Sequence, residues 1–466
     1  MADTSPAASL TTNRSTLPTT TTFTDYISSK WADVDELLPA PREQSVWAAE
    51  RRARISALSE GERLVIPAGD LATRSNDTEY PYRAHSAFAY LTGWGGDTVP
   101  GSVLVLEPVD SGHRATLYFR ETARRGTSEF YADPAIGEFW QGPRPSLIHV
   151  AADLALATAS LADLPGALES GSAPTRHLDD DNGELARDLS ELRLIKDGFE
   201  IAQLREAVAA TMSGFDDVIA DLPNIIAHSR GERIVEGTFN RRARADGNTV
   251  GYDTIAASGA HACILHWTRN DGAVTPGELI LIDAGVELDS YYTADITRTL
   301  PVSGTFTPLQ REIYEAVREA ADAAFTIVKP GITFRDVHTE AMKVIAAKTA
   351  EWGLLPVCAA ESLADGQYHR RYMVHGTSHH LGLDVHDCAQ ARREFYHDGI
   401  VREGMIFTIE PGLYFQADDL TVPAEFRGIG VRIEDDILVT ASGAENLSIG
   451  IPRTADDVEA WLRGRA

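Results

Sequence analysis

The sequence predicts a protein of two domains, and the larger, C-terminal domain is predicted to be of the α+β class. The chain has 466 residues, which is too many for one ordinary hydrophobic core. Residues 169–184 have the Gly, Ser, Pro and Asp content of a linker. Beyond residue 249, short apolar runs of strand length are interrupted by two helical blocks, and the short loops imply antiparallel neighbours.

The first part of the chain is predicted to be a disordered leader followed by a smaller α/β domain. Residues 1–22 are rich in Thr and Ser and lack the apolar core of a signal peptide. Residues 23–186 are assigned to the α/β domain, because short strands alternate with helices there. The predicted elements are a helix at 42–60, strands at 64–67, 102–106 and 115–119, and a helix at 151–164.

The α+β domain is assigned to residues 187–466. It opens with a helix over residues 201–222, whose apolar residues recur every three or four positions and therefore predict core packing. A later helix follows Pro330 and Gly331, which are a start signal. The other predicted elements are strands at 251–257, 279–287, 291–299, 405–409 and 428–439 and helices at 309–327 and 334–350.

Composition excludes several classes of partner. The apolar content of 43% and charged content of 24% are those of a soluble globular protein. A formal charge of −27 disfavours nucleic acid and anionic membranes, which both attract basic patches. No run of eighteen apolar residues is present, so no membrane span is expected. The three cysteines, Cys263, Cys358 and Cys388, predict free thiols and a cytoplasmic location.

The two strands at 279–287 and 291–299 each carry a lone aspartate, Asp283 and Asp295, inside an apolar run. With a loop at 288–290, Glu287 would face Tyr291 and Asp283 would lie directly opposite Asp295. Their Cβ atoms would then be roughly 5 Å apart. Carboxylates at that distance repel each other unless a proton or a cation lies between them. A cation site is predicted, and solvated strand residues are the alternative.

Four later stretches carry polar residues where the pattern predicts apolar ones. Taken singly, each is typical of a core histidine, a turn or a solvated acidic edge. Together they offer carboxylates and imidazoles to one site. The residues are His266; His375, His379, His380 and His386; Glu410; and Arg432 with Glu434 on one strand face.

The charge of this set predicts two metal ions. Asp283, Asp295, Glu410 and Glu434 supply four negative charges, which two divalent cations cancel, and one neutral imidazole completes the coordination. Oxygen-rich ligation with a single histidine favours Mn²⁺ over zinc, whose sites are built of thiolates and imidazoles.

Four motifs, in this order, closely resemble those of the pita-bread metallopeptidases, which include methionine aminopeptidase, prolidase and aminopeptidase P. They are IDAGVELDSYYTADITRT, HGTSHHLGLDVHD, TIEPGLY and GVRIEDD, and the resemblance covers about the whole second domain. The histidine motif, with SNDTEYPYRAHSAFAYLTGW in the first domain, is most similar to aminopeptidase P, the Xaa-Pro aminopeptidase family.

The resemblance implies a dinuclear metal-dependent aminopeptidase that releases the residue before a proline in second position. It implies five metal ligands: Asp283, Asp295, His379, Glu410 and Glu434. Glu410 would also shuttle a proton, His386 would stabilise the oxyanion, and His266 would hold the substrate. Supporting roles fall to His375 against the prolyl ring, to Arg432 and Tyr414 beside the ligands, and to Trp140.

Trp140 lies in EFWQGPR, which is similar to a family segment that reaches toward a neighbouring subunit's active site. A homo-oligomer, either a dimer or a tetramer, is therefore expected.

Three alternative functions remain open at the level of sequence. Prolidase cleaves only Xaa-Pro dipeptides and needs a group, such as an arginine, for the free carboxylate. A peptide- or histone-binding relative keeps the fold but lacks the metal ligands. Creatinase-like amidine hydrolysis does not need this ligand set.

Overall fold

The computed structural model describes residues 11–12, 15–18, 20–32, 37–180 and 182–465. They form two compact units, one within Met1–Asp181 and one within Asn182–Ala466. Most of the leader predicted at 1–22 lies outside the described residues. The domain boundary predicted at residue 187 lies inside the helix Glu184–Arg193. Within the described part of the chain, no helix combines the length and apolar character needed to cross a bilayer.

The first unit is built on a mixed sheet. Its elements are β1 (Thr11–Thr12), β2 (Ser15–Thr16), α1 (Thr21–Ile27), α2 (Gln44–Leu58), β3 (Arg63–Pro67), β4 (Thr73–Ser75), β5 (Thr78–Glu79), α3 (Ser86–Thr92), β6 (Val103–Pro108), β7 (His113–Phe119), α4 (Ser128–Tyr131), α5 (Glu138–Gln141), α6 (Leu147–Leu154), β8 (Ala157–Ser160), α7 (Leu164–Glu169) and β9 (Thr175–His177). The central sheet has five strands in the order β8-β7-β6-β3-β9. Its inner pairs are antiparallel, and β8 and β9 join the edges in parallel.

The helix predicted at 151–164 is wrong beyond Leu154. Ala155 has φ of 47°, a left-handed conformation that a helix interior does not accept, so α6 ends there. The chain then extends into β8, which pairs with β7. Residues 155–164 are small and apolar enough to fit a helical pattern. Residues 157–160 instead pair with β7 at the edge of the sheet, and this tertiary contact overrides the local preference.

The second unit contains four small antiparallel sheets and several long helices. Its elements are α8 (Glu184–Arg193), α9 (Gly198–Ala220), α10 (Leu222–Ala227), α11 (Gly231–Asp246), β10 (Thr249–Val250), β11 (Ile255–Ser258), β12 (Leu279–Ala284), β13 (Val286–Glu287), β14 (Ile296–Pro301), α12 (Pro308–Ile327), α13 (Phe334–Glu351), α14 (Ala359–Ala364), β15 (Ile406–Ile409), β16 (Gly412–Tyr414), β17 (Gly430–Arg432), β18 (Asp435–Val439), β19 (Ala444–Asn446) and α15 (Ala455–Arg465). The sheets are β11-β12-β14, β15-β18-β19, β16-β17 and β10-β13.

Local signals explain where the long helices begin. Asp197 and Glu200 form a capping box at the start of α9, and Thr307 and Gln310 form another before α12. The apolar stripe of α9 is buried in the core, as its spacing predicts. The strand predicted at 428–439 divides into β17 and β18, which join different sheets, and this division leaves Glu434 between them.

The register predicted for the aspartate hairpin is wrong by two residues. Asp283 lies opposite Thr297, and Glu287 bridges to Thr293. The turn is longer than predicted, because Tyr291 has φ of 72° and its N–H donates to the Leu288 carbonyl at 2.8 Å. A shift of two residues keeps every side chain on the same face of the sheet, whereas a shift of one would reverse it. The two aspartates therefore still face one side.

Candidate active site

A cavity of about 620 Å³ lies in the second unit, and it contains most of the residues that the sequence singled out; Tyr414 is not among its described lining residues. All five predicted metal ligands line it, together with His266, His375, His386 and Arg432. The rest of the described lining consists of Tyr252, Asp253, Ile255, Leu265, Thr268, Gly376, Ser378 and Val385. These distant parts of the chain meet because β11 and β12 are paired, Asp295 directly precedes β14, Glu410 directly follows β15 and Arg432 ends β17.

Tyr252 connects the two aspartates of the hairpin. Its hydroxyl is 2.7 Å from Oδ1 of Asp283 and also makes a short contact with Oδ1 of Asp295. A hydroxyl has one proton, so it can donate to only one of these carboxylates at a time. Burial, followed by the charges of Asp283 and Asp295, raises the pKa of Tyr252 well above its usual value. The phenol therefore stays protonated and acts as a neutral link.

Arg432 is the buried cation of the cavity wall. Its Nη2 donates to Oδ2 of Asp283 at 2.5 Å, and its Nε donates to Oγ1 of Thr297 at 3.1 Å. Thr297 in turn donates to Oε2 of Glu434 at 2.8 Å. Arg432 thus fixes the orientation of two predicted ligands, one directly and one through a hydroxyl.

His379 is the imidazole that faces the carboxylates. Its Nε2 lies 3.2 Å from Oδ2 of Asp295, 3.7 Å from Oε1 of Glu410 and 3.9 Å from Oε1 of Glu434. Ligand atoms of Asp295, His379 and Glu434 all lie within 4.8 Å of one another. One cation can therefore contact all three groups with small side-chain movements.

The acidity of these groups shows how much the cavity needs positive charge. Burial, with Asp295 and Asp283 nearby, raises the pKa of Glu410 to about 7. Burial and the neighbouring carboxylates raise the pKa of Glu434 well above its usual value. Burial disfavours charge on His379, but Asp295 and Glu410 more than offset this effect and raise its pKa to about 9. Without a metal ion, these raised pKa values mean that protons compensate the negative charge of the cavity. Divalent cations would supply the same positive charge, so the donor set fits them.

The remaining histidines of the motif divide between the cavity and the core. His375 Nε2 lies 2.8 Å from the hydroxyl of Tyr414, which also accepts from Arg432 at 3.2 Å. The ring of His386 meets that of His379 edge to face, with centroids 4.5 Å apart. His380 points the other way, as strand alternation predicts, and its ring stacks on Phe334.

Trp140 lies in the first unit, on α5, and is absent from the described lining of the cavity. Its side chain is 53% exposed, and its Nε1 donates to the carbonyl of Tyr131 at 2.8 Å. The neighbouring Phe139 is 64% exposed. The role predicted for Trp140 at another subunit's site therefore stays a prediction.

Comparison with known proteins decides the family. A model described as metallopeptidase family M24 matches residues 202–441, more than half of the chain. The chain belongs to metallopeptidase family M24. A second model, described as the aminopeptidase P N-terminal domain, matches residues 48–172. The prediction of a pita-bread metallopeptidase of the aminopeptidase P type is confirmed, and membership of this family implies divalent metal ions.

Curated relatives and solved structures agree with this assignment. Xaa-Pro aminopeptidase 1 of Streptomyces coelicolor is 49% identical over 94% of this chain and 91% of its own length. Xaa-Pro aminopeptidase 2 of the same species is 50% identical over 93% of this chain and 94% of its own. Escherichia coli aminopeptidase P, solved with the inhibitor Pro-Leu, aligns with a TM-score of 0.77 at 30% identity, covering 91% of this chain and 99% of that one.

Sequence reasoning missed Tyr252 and Thr297, both of which hold predicted ligands in place. Tyr252 precedes β11 in a stretch with no polar periodicity, so no local pattern separates it from a core tyrosine. Thr297 follows Asp295 by two residues, so in a strand both side chains point to the same face. This spacing is a signal in the sequence that could have identified Thr297.

We expect Tyr252→Phe to weaken metal binding by about 10- to 100-fold, because it removes the hydroxyl that orients Asp283 and Asp295. The measurement is metal retained after dialysis against a graded chelator series. Tyr314→Phe is the matched control, since it also removes a buried hydroxyl, one that donates to the carbonyl of Arg453 at 2.9 Å. Equal metal affinity in the Tyr252 variant and the wild type would contradict this role.

Proposed function

We propose that this protein is a metal-dependent Xaa-Pro aminopeptidase that releases the N-terminal residue from peptides with proline in second position. The observation that carries the proposal is the convergence of four carboxylates and His379 on one cavity. The similarity to two Streptomyces Xaa-Pro aminopeptidases over nearly the whole chain supports the same substrate class.

We propose that Asp283, Asp295, His379, Glu410 and Glu434 hold two divalent ions, of which Mn²⁺ suits this oxygen-rich set best. When bound, such ions lower the pKa of a water and polarise a carbonyl group. Arg432 keeps the Asp283 carboxylate oriented toward the cavity, and Thr297 does the same for Glu434. This arrangement leaves the ligand oxygens pre-positioned.

Glu410 is assigned the proton transfer. Its carboxyl lines the cavity beside the other predicted ligands, where it can accept a proton and pass it on. His375 Nδ1 lies 3.6 Å from its Oε2. Glu410 accepts a proton from the attacking water and passes it to the nitrogen of the departing proline as the bond to the preceding carbonyl carbon breaks.

His386 and His266 both line the cavity and are assigned to the substrate. An N–H of His386 stabilises the developing oxyanion, and His266 holds the substrate on the other side. Burial lowers the pKa of His375 to about 3, so this ring stays neutral and packs against the prolyl ring. The contact of Tyr414 with both His375 and Arg432 keeps that wall rigid.

The described arginines near the histidine motif argue against prolidase. Three of the four pair with carboxylates: Arg371 with Asp419, Arg392 with Glu191 and Arg393 with Asp398. Arg370 donates instead to the backbone carbonyls of Val374 and His375. The described lining of the cavity includes none of the four. None of these four arginines is therefore placed to pair with the free carboxylate of a bound dipeptide.

The test is hydrolysis of a Xaa-Pro-Xaa tripeptide and a Xaa-Pro dipeptide by chelator-treated protein supplied with Mn²⁺, Co²⁺ or Zn²⁺. We expect release of the first residue of the tripeptide, with the highest rate in Mn²⁺. Cleavage of the dipeptide alone would indicate prolidase, and binding without cleavage would indicate a peptide-binding relative. Tripeptide cleavage that depends on no divalent metal would rule out the mechanism.

We also propose a cytoplasmic homo-oligomer. The exposed aromatic pair Phe139 and Trp140 of the first unit supports self-association, since large aromatic side chains are enriched at subunit interfaces. Cys263 and Cys388 are buried free thiols, and Cys358 is an exposed one, which suits a reducing compartment. Light scattering of the wild type and of Trp140→Ala would measure the subunit number, and a monomeric wild type would contradict the proposal.

A further inference from the structure

One wall of the cavity is a loop, residues 259–272, that follows β11. Leu265, His266 and Thr268 from this loop line the cavity. The residue between them, Trp267, is turned away, and its Nε1 donates to Glu232 Oε2 at 2.9 Å. The loop therefore has a substrate side and an anchored side.

Glu232, on α11, is the centre of the anchored side. Its side chain is fully buried, with 0% relative exposure, and its two oxygens accept from four groups of the loop region. The donors are the Ser258 N–H at 2.8 Å, His261 Nδ1 at 2.7 Å, Trp267 Nε1 at 2.9 Å and the Gly272 N–H at 2.6 Å. One donor from the last residue of β11 and three from the loop satisfy this buried carboxylate.

Packing around Glu232 leaves little freedom. The rings of His261 and Trp267 stack with centroids 3.8 Å apart. A Cβ at Gly272 would lie 2.8 Å from both Glu232 Oε2 and His261 Cε1, so the close approach of the loop requires glycine there. The carboxylate and the stacked rings thus hold the loop as one unit.

A second contact one helical turn along α11 supports the first. Asn270 is buried and has φ of 47°, and its Nδ2 donates to Glu236 at 3.1 Å and to the Thr254 carbonyl at 2.8 Å. Its Oδ1 accepts from the Ala256 N–H of β11 at 3.0 Å. The loop is therefore fixed to the helix and to the strand that precedes the loop.

We propose that Glu232 is a positioning residue, which sets the place of His266 and of the Leu265–Thr268 wall relative to the substrate without touching either substrate or metal. This inference rests on the proposed peptidase function. It adds a determinant of substrate binding that lies behind the cavity wall, on α11, rather than in the cavity itself.

The first test is Glu232→Gln, which keeps the shape of the side chain but turns one acceptor oxygen into a donor that faces N–H groups. We expect kcat/KM for a Xaa-Pro-Xaa peptide to fall by about 10- to 100-fold, mainly through a higher KM, with bound metal unchanged. Trp267→Phe removes a single donor and should act in the same direction, more weakly. Glu445→Gln is the control, because it removes a carboxylate from a half-exposed ion pair with Arg205.

A double-mutant cycle with His266→Ala separates positioning from a general loss of structure. If Glu232 acts through the wall that carries His266, Glu232→Gln should cost much less in the His266→Ala background than in the wild type. The same fold loss of kcat/KM in both backgrounds would overturn the proposal. So would a loss confined to kcat and accompanied by loss of metal.

Trypsin digestion gives a readout that does not depend on activity. Arg269 is an exposed residue of the loop, and the following Asn270 is buried by its contacts. Mass spectrometry should find cleavage after Arg269 in Glu232→Gln but not in the wild type or Glu445→Gln. If the wild type cleaves no peptide, the proposed peptidase function is wrong, but trypsin digestion still tests whether Glu232 holds the loop. If Glu232→Gln resists trypsin and keeps its KM, the proposed role of Glu232 is wrong and the peptidase function is unaffected.

Discussion

Asp295→Asn is expected to reduce kcat/KM by about 1,000-fold or more and to remove most of the bound metal. The Asp295 Oδ2 lies 3.2 Å from His379 Nε2, and both belong to the trio of groups within 4.8 Å of one another. An amide has no negative charge, so it cannot replace the carboxylate toward divalent ions, whose contribution is worth several kcal/mol. Peptide assays and metal analysis of the purified variant measure both effects.

The stability of the metal-free protein should not fall with activity in this variant. In chelator-treated protein, Asp295 adds to a cluster of buried carboxylates that repel one another, and burial with these neighbours raises the pKa values of Asp283, Glu410 and Glu434. Asp295→Asn relieves part of that repulsion, but it also removes the carboxylate that pairs with His379 at 3.2 Å. The two effects oppose each other, so the Tm of the chelated variant should stay close to that of the chelated wild type. Asp398→Asn, a surface acid paired with Arg335, is the control. Hydrolysis within tenfold of wild type would refute the ligand assignment.

Asp387→Asn is expected to lower the free energy of unfolding by about 3–5 kcal/mol, because it removes the carboxylate that pairs with buried Lys196. The same change leaves buried Arg193 with its pair to Asp384, at 2.7 Å, instead of with two carboxylates. Asp387 is fully buried, and its oxygens accept from Lys196 Nζ at 2.6 Å and, at short range, from Arg193. Denaturant unfolding measures the loss. Glu445→Gln, which breaks a half-exposed pair, should cost about 1 kcal/mol or less. A loss no larger than that of Glu445→Gln would contradict the argument.

The loss should depend on pH in a defined way. Burial alone would raise the pKa of Asp387, but the charges of Arg193 and Lys196 lower it far below its usual value. A depressed carboxyl pKa contributes stability in full above the unfolded value of about 3.9, and the contribution is lost as pH falls through the folded value. The difference between wild type and Asp387→Asn should stay constant from pH 5 to pH 8 and narrow below about pH 4.

The sequence predicted the face of the aspartate hairpin but not its register. Alternation along a strand decides which side Asp283 takes, and a two-residue error leaves that side unchanged. The register depends on the turn, where Asp289 and Ser290 have turn chemistry but Tyr291 adopts the positive φ. Tyrosine rarely takes that conformation, so no sequence rule could have placed it there.

Contacts that act across long sequence separations were also beyond local patterns. Tyr252 meets Asp283 from 31 residues away, and Arg432 meets it from 149 residues away. Helix α11 was not predicted because its apolar residues, such as Val235 and Phe239, are few among charged ones. Its buried Glu232 is satisfied only by the tertiary structure.

The predicted ligands are spread from Asp283 to Glu434, across several sheets of the second unit. A nascent chain on the ribosome whose exposed part ends before Glu434 has the hairpin and the histidine motif, but it lacks Arg432 and the last carboxylate. It cannot complete the cavity, because Arg432 and Glu434 both line it and Arg432 donates to Asp283. On the proposed ligand assignment, peptide hydrolysis therefore has to wait until synthesis of this unit is almost finished.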